Sequence, residues 1–185
     1  MGLSAQQQAM VDVILRVFRE AGFPPVVGMA AAANAYAESG FNPNAVGDSG
    51  ASIGLFQLHE RGVGSGMSAE ARRDPETNAK KMADWARRES RFMAVANDPN
   101  ATLSDVTHAF CVYLERPANA DAKGRERAGI AARMFPQATA VSTSRLRSWS
   151  AGPSPVVLAL TGSAAALALV LLWVNKDKIR ARIGG

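Results

Sequence analysis

Ala35-Tyr36-Ala37-Glu38-Ser39-Gly40-Phe41-Asn42-Pro43-Asn44-Ala45-Val46-Gly47-Asp48-Ser49-Gly50-Ala51-Ser52-Ile53-Gly54-Leu55-Phe56-Gln57-Leu58-His59 decides how this chain is read. It predicts a helix that ends on a glutamate, an abrupt turn, and then a glycine-punctuated hairpin. Upstream, Pro24 and Pro25 suit a first helical turn, where a missing N–H costs nothing. From Met29 to Ala37 the chain is mostly Ala, a strong helix former. Gly40 stands where a left-handed residue closes a helix. Glu38 therefore falls in the last turn, near the negative end of the helix dipole. The dipole and the apolar alanines both disfavour its charged form, and a carboxyl that keeps its proton is a candidate general acid. A helix-terminal surface glutamate would need none of the motif that follows.

That motif carries a resemblance. Glu38-Ser39-Gly40-Phe41-Asn42-Pro43-Asn44-Ala45, followed by Gly54-Leu55-Phe56-Gln57, resembles the signature of the lytic transglycosylase and goose-type lysozyme superfamily. It is most similar to the lysozyme-like domains of phage tails and virions. In those, a Phe-x-x-Tyr-x-Glu-Arg-Pro segment follows, and here it reads Phe110-Cys111-Val112-Tyr113-Leu114-Glu115-Arg116-Pro117. The resemblance covers roughly residues 5 to 136. It implies a mainly α fold with a small β-hairpin, and cleavage of the MurNAc–GlcNAc β-1,4 bond of bacterial peptidoglycan. Glu38 would be the acid. Ser39, Gly54, Phe56, Gln57 and His59 would line the sugar groove, with Tyr113 nearby.

Asp48 separates two chemistries. Its spacing ahead of Gly54-Leu55-Phe56-Gln57 is similar to that in goose-type lysozymes, where an aspartate helps to position the attacking water. An inverting hydrolase needs such a second carboxylate across the groove. Lytic transglycosylases do without it: one glutamate acts as acid and then base, and the sugar's own hydroxyl attacks. Asp48 also suits an Asx-type turn before Gly50, which would explain it without catalysis. His59 stands where goose-type enzymes place a further aspartate, and this favours the transglycosylase. The reaction needs carboxyls only and calls for no metal or cofactor.

Composition bounds the rest. The 185 residues allow one modest domain and an appendage. Cys111 is the single cysteine, which excludes an intramolecular disulfide and suits a buried thiol. Of the net charge of +5, the segment from Asn175 to the C-terminus carries +3, leaving +2 for the remainder. The near-balanced remainder gives no reason to expect nucleic acid as a partner.

Ser4 and Gln7 predict a capping box for a first helix running to about Ala21. Asp74-Pro75 opens another that carries Met82, Trp85 and Phe92. Thr102 or Ser104 caps one with Val106, Phe110 and Tyr113, and a last helix spans about Lys123 to Met134. Arg87, Arg88 and the Arg125-to-Arg127 run read as solvated charge. The Gly-rich 61–67 segment reads either as a groove-edge loop or as a plain connector.

After Pro136 the character changes. The reading divides the chain into a peptidoglycan-cleaving domain at 1–136, a linker at 137–155, a transmembrane helix at 156–174 and a short basic tail at 175–185. The 156–174 stretch is 19 residues without a charge, long enough to span a bilayer. Thr161, Gly162, Ala165 and Ala166 would permit self-association of such helices. The positive-inside rule then puts the tail in the cytoplasm and the enzyme domain outside. Met1 to Gln8 lacks the marks of a signal peptide, and delivery from a phage particle with an internal membrane or an ejection apparatus resolves that conflict. The partners expected are glycan strands, a lipid membrane and other virion proteins. The expected role is local wall opening during genome delivery. The alternatives are a non-catalytic conduit protein that binds glycan, and a host-lysis factor.

Overall fold

The computed structural model describes residues 2–138, and in them the chain is helical with one small sheet. In chain order the elements are α1 (Ala5–Glu20), α2 (Pro25–Ser39), β1 (Val46–Gly47), β2 (Ser52–Ile53), β3 (Leu58–His59), α3 (Ala69–Arg73), α4 (Pro75–Arg88), α5 (Ser90–Asn97), α6 (Leu103–Phe110) and α7 (Ala120–Met134). A 3-10 turn, Asp48–Gly50, joins β1 to β2, and a π-helical segment, Cys111–Glu115, extends α6.

The helix starts are built as the sequence predicts. Ser4 and Gln7 form a reciprocal capping box, with Gln7 N–H donating to Ser4 Oγ at 3.2 Å and Ser4 N–H to Gln7 Oε1 at 3.0 Å. Asp74 accepts from Thr77 N–H at 2.8 Å and is followed by Pro75 at the first helical position. Of the two residues that could cap α6, Thr102 does so, in a second capping box with Asp105.

α2 is the axis of the domain. Ala30, Ala31, Ala32, Ala33 and Ala35 are fully buried, because α1, α6 and α7 enclose the helix on all sides. A helix apolar all round belongs in a core, and small side chains let its neighbours approach closely. Phe18, Phe56, Phe92 and Phe110 fill the space around it, with ring centroids 5.5–6.4 Å apart in tilted or edge-on pairs. The chain leaves α2 at Gly40, at φ +62°, with its N–H donating to Tyr36 O at 2.8 Å.

Three sequence expectations change. The 45–58 region is a three-stranded antiparallel meander rather than one hairpin, with Val46 opposite Ile53 and Ser52 opposite His59. The helix opened by Asp74-Pro75 stops at Arg88. Glu89 takes an extended conformation, and its carboxylate accepts from Arg91 N–H to start α5, which carries Phe92. The Arg125-to-Arg127 run is not uniformly solvated: Arg125 and Glu126 are exposed, whereas the Arg127 side chain is 5% exposed. Ala138 is buried, so the core reaches slightly past Pro136. The rest of the expected linker, the 156–174 span and the basic tail lie outside the described residues. Among the described residues no helix is long and apolar enough to cross a membrane.

Candidate active site

Glu38 sits in the last turn of α2, its side chain 21% exposed, at the edge between core and solvent. The next residue fixes it against the sheet. Ser39 Oγ donates to Leu55 O at 2.9 Å, in the β2–β3 turn, while also contacting Ala35 O of its own helix at 3.1 Å. The end of the helix that carries Glu38 is thereby tied to the meander.

The meander is braced from its other side by buried polar side chains. Asn78 on α4 accepts from Phe56 N–H at 3.1 Å and donates to Ile53 O at 3.2 Å and Arg72 O at 2.7 Å. Arg72 on α3 donates to Ala51 O at 2.6 Å and Leu58 O at 3.1 Å. Neither residue figured in the sequence reading. Asn78 stands one residue before Ala79 on the apolar face of α4, and a polar group there is the signal that could have revealed it.

The sequence-expected groove residues divide by role. Gly54, at φ +88°, lies so close to α3 that a Cβ there would come within 2.1 Å of Arg72 O. Gln57 turns its amide back to donate to Gly54 O at 3.0 Å and Ala45 O at 3.2 Å, so it fastens the turn. Phe56 buries its ring among Phe18 and Phe110, and what it offers a sugar is backbone. His59 is half-buried, and its Nδ1 accepts from Arg61 N–H at 3.1 Å. Asp48 is exposed on the 3-10 turn, in the left-handed region at φ +48°, and accepts from Ser52 Oγ at 2.5 Å. Tyr113 stands apart from these. It lies under the Arg91 guanidinium, 5.1 Å from its ring centroid. It also lines a cavity of about 380 Å³ with Val95 of α5, His108 of α6 and Arg125 of α7.

The group that meets Glu38 directly is Arg127. Its Nη2 donates to Glu38 Oε1, its Nη1 donates to Asn34 Oδ1 at 3.2 Å, and Nη1 also pairs with Glu115 Oε2. The Glu115 side chain is 6% exposed and comes from the π segment. That segment closes with Arg116 N–H donating to Cys111 O at 2.9 Å, one residue further back than an α-helix allows, and π turns recur at functional sites. Asn34 is fully buried, and its amide donates to Ala30 O at 2.8 Å and Thr107 O at 3.3 Å, which carries the cluster to α6. The sequence signal for Arg127 was Gly124, three residues earlier on the same helical face. A Cβ on Gly124 would stand 2.5 Å from the His108 ring, so this face of α7 is pressed inward.

Around the π segment, charge is neutralised locally. Hydrogen bonding to Arg91, with help from Arg116, holds the Glu89 carboxyl down to about 2. Hydrogen bonds from His108 and Arg125 hold the Asp121 carboxyl below the usual carboxylate range.

Glu38 thus stands at a helix end that is fastened to a small sheet, and it meets a buried cluster. The sequence model described as phage tail lysozyme matches residues 11–137. The chain belongs to the phage tail lysozyme family. No curated protein and no solved structure is matched. The matched region takes in Glu38, the meander, the π segment and α7 together. A phage tail lysozyme is a lysozyme-like enzyme with peptidoglycan as its substrate.

Proposed function

We propose that this phage tail lysozyme domain cuts glycan strands by a lytic transglycosylase reaction, with Glu38 as the proton donor. The observation that carries the reading is the placement of Glu38: half-buried in the last turn of α2, with Ser39 fastening that turn to the meander. Glu38 gives its proton to the glycosidic oxygen as the C–O bond breaks. The resulting carboxylate takes the proton of the sugar's own attacking hydroxyl, and an internal anhydro ring forms. Ser39, Gly54, Phe56, Gln57 and His59 shape the groove, largely through backbone that their side chains hold in place. The competing hydrolase would use Asp48, whose carboxylate Ser52 orients, to activate water.

The products distinguish the two. An anhydro product is one water lighter than a reducing-end product, and mass spectrometry of a peptidoglycan digest reads the difference. The expected outcome is anhydro ends, lost in Glu38→Gln with the circular dichroism spectrum unchanged. Reducing ends, with a drop of about 10²–10⁴-fold in Asp48→Asn, would make the enzyme a hydrolase. Full clearing by Glu38→Gln would remove Glu38 from catalysis.

We further propose the division into a cleaving domain at 1–136, a linker at 137–155, a membrane helix at 156–174 and a basic tail, with the enzyme carried in a virion and used during genome delivery. The uncharged 156–174 run supports the anchor. The full chain should partition into detergent, and a chain ending at Ala138 should stay in the aqueous phase and retain activity. A full chain found in the aqueous phase would overturn the anchor.

A further inference from the structure

Glu38 and Glu115 are two carboxylates on one guanidinium. Fully ionised, the three groups sum to one negative charge at a place where Glu115 and Arg127 are almost wholly buried. An uncompensated buried charge is costly, and one bound proton removes it. Among the described residues, the hydrogen bonds and ion pairs of Glu38 and Glu115 reach no cation other than Arg127. Apart from the Arg127 ion pair, neither Glu115 oxygen has a hydrogen-bond partner among the described residues. Asn34 cannot help, because its amide is committed to two backbone carbonyls and it offers the cluster only an oxygen.

Several charged groups on the surrounding elements are engaged elsewhere or exposed. On α1, Asp12 accepts from Gln8 and Arg16 pairs with Glu20 and Glu76. On α6, Asp105 accepts from Thr102 N–H and His108 faces Asp121. On α7, Arg125 pairs with Asp121, and Lys123, Glu126 and Arg133 are exposed. In the meander, Asp48 accepts from Ser52, and His59 from Arg61 N–H.

We propose that Glu115 is a positioning residue for the general acid: it and Glu38 hold one proton between them across Arg127, and this keeps Glu38 able to donate at neutral pH. The inference rests on the reading of Glu38 as the acid. A lone glutamate facing an arginine is driven toward its carboxylate. The charge of Glu115 offsets that pull, and the two acids release their protons as a coupled pair rather than singly. Arg127 then has a second use. Once Glu38 has given its proton away, the guanidinium is already in place beside the new carboxylate.

The test is the pH profile of wall cleavage by the full chain, solubilised in detergent, in wild type, Glu115→Gln and the double variant Glu115→Gln/Arg127→Met. Gln keeps the shape of Glu115 and removes its charge, so Arg127 acts on Glu38 alone. The alkaline limb of the profile should move down by about 1 pH unit or more. Removing the guanidinium as well should bring the limb back up to the wild-type position or beyond. A purely structural Glu115 would lower melting temperature and rate at every pH and leave the limb where it was, and that result overturns the proposal. If the single variant does not fold, the double variant decides, since a limb lying below that of wild type contradicts the argument. If neither folds, infrared titration of the wild-type chain decides. A buried glutamate that keeps its proton into the neutral range supports the coupling, and complete ionisation in the ordinary carboxylate range overturns it. Absence of cleavage by the wild-type chain would instead sink the proposed function, and the limb comparison separates the two failures.

Discussion

At the scale of single residues, the site is held by groups whose importance lies in what cannot replace them. Gly54 is the sharpest case. It adopts φ +88°, and a Cβ would meet Arg72 O at 2.1 Å and Asn78 Nδ2 at 2.4 Å. Backbone and a fully committed amide cannot move aside cheaply. Gly54→Ala should therefore cost about 2 kcal/mol or more, read as a lowered urea midpoint. Gly50→Ala is the control: φ is +102° there, but nothing lies within 4 Å of the added carbon, so only the backbone penalty remains. Equal losses in the two variants would show that the approach to Arg72 is not what matters. The sequence made Glu38 legible because its motif is continuous. It hid Arg127, because an arginine among Arg125 and Glu126 looks like surface charge until the inward face of α7 is known.

At the scale of elements, caps and punctuation were readable and irregular backbone was not. The starts of α1, α4 and α6 follow from Ser4, Asp74 and Thr102, whose side chains satisfy free N–H groups by local rules. The break at Glu89 was not readable, because no glycine or proline marks it. It exists because Glu89 satisfies Arg91 of α5 and also meets Arg116 across the fold. The π segment was equally silent. Its residues suit an ordinary helix, and the wider turn is chosen by tertiary contacts: Glu115 facing Arg127, and Cys111 Sγ reaching Ala120 O at 3.7 Å. The third strand was missed because two-residue strands carry no alternation to count. Phe56 and Gln57 stand out by motif as candidate groove residues. That one would serve the core and the other the turn depends on the register of the meander.

At the scale of the whole domain, several ion pairs join elements distant in sequence. Glu76 of α4 accepts from Arg16 of α1 and from Lys80, each at 2.6 Å, and those bonds hold its carboxyl down to about 2. Glu89 is held equally low, chiefly by Arg91, and Asp121 is lowered by His108 and Arg125. In the folded state these groups take up protons later than in the unfolded chain as pH falls. Their contribution to stability is complete above the ordinary glutamate value of 4.5 and drains away from there down to about 2. The urea midpoint at low salt should fall through that interval, and the fall should be shallower in Glu76→Gln. Identical slopes in the two proteins would exclude Glu76 as a contributor. Added salt should flatten both, since these pairs are at the surface.

The alanine-walled axis has a consequence for how such an enzyme can diversify. Positions 30–33 and 35 present no free face, so drift there is blocked whatever wall the phage meets. Variation is left to the exposed tip of the meander at Asp48–Gly50, to the 61–67 segment and to the outer faces of α4 and α7. Adaptation to a new host can therefore rewrite the exposed surface while leaving the support of Glu38 untouched. The buried helix is tied to the fixed part of the meander, not to its exposed tip, by a serine hydroxyl, Ser39 Oγ on Leu55 O.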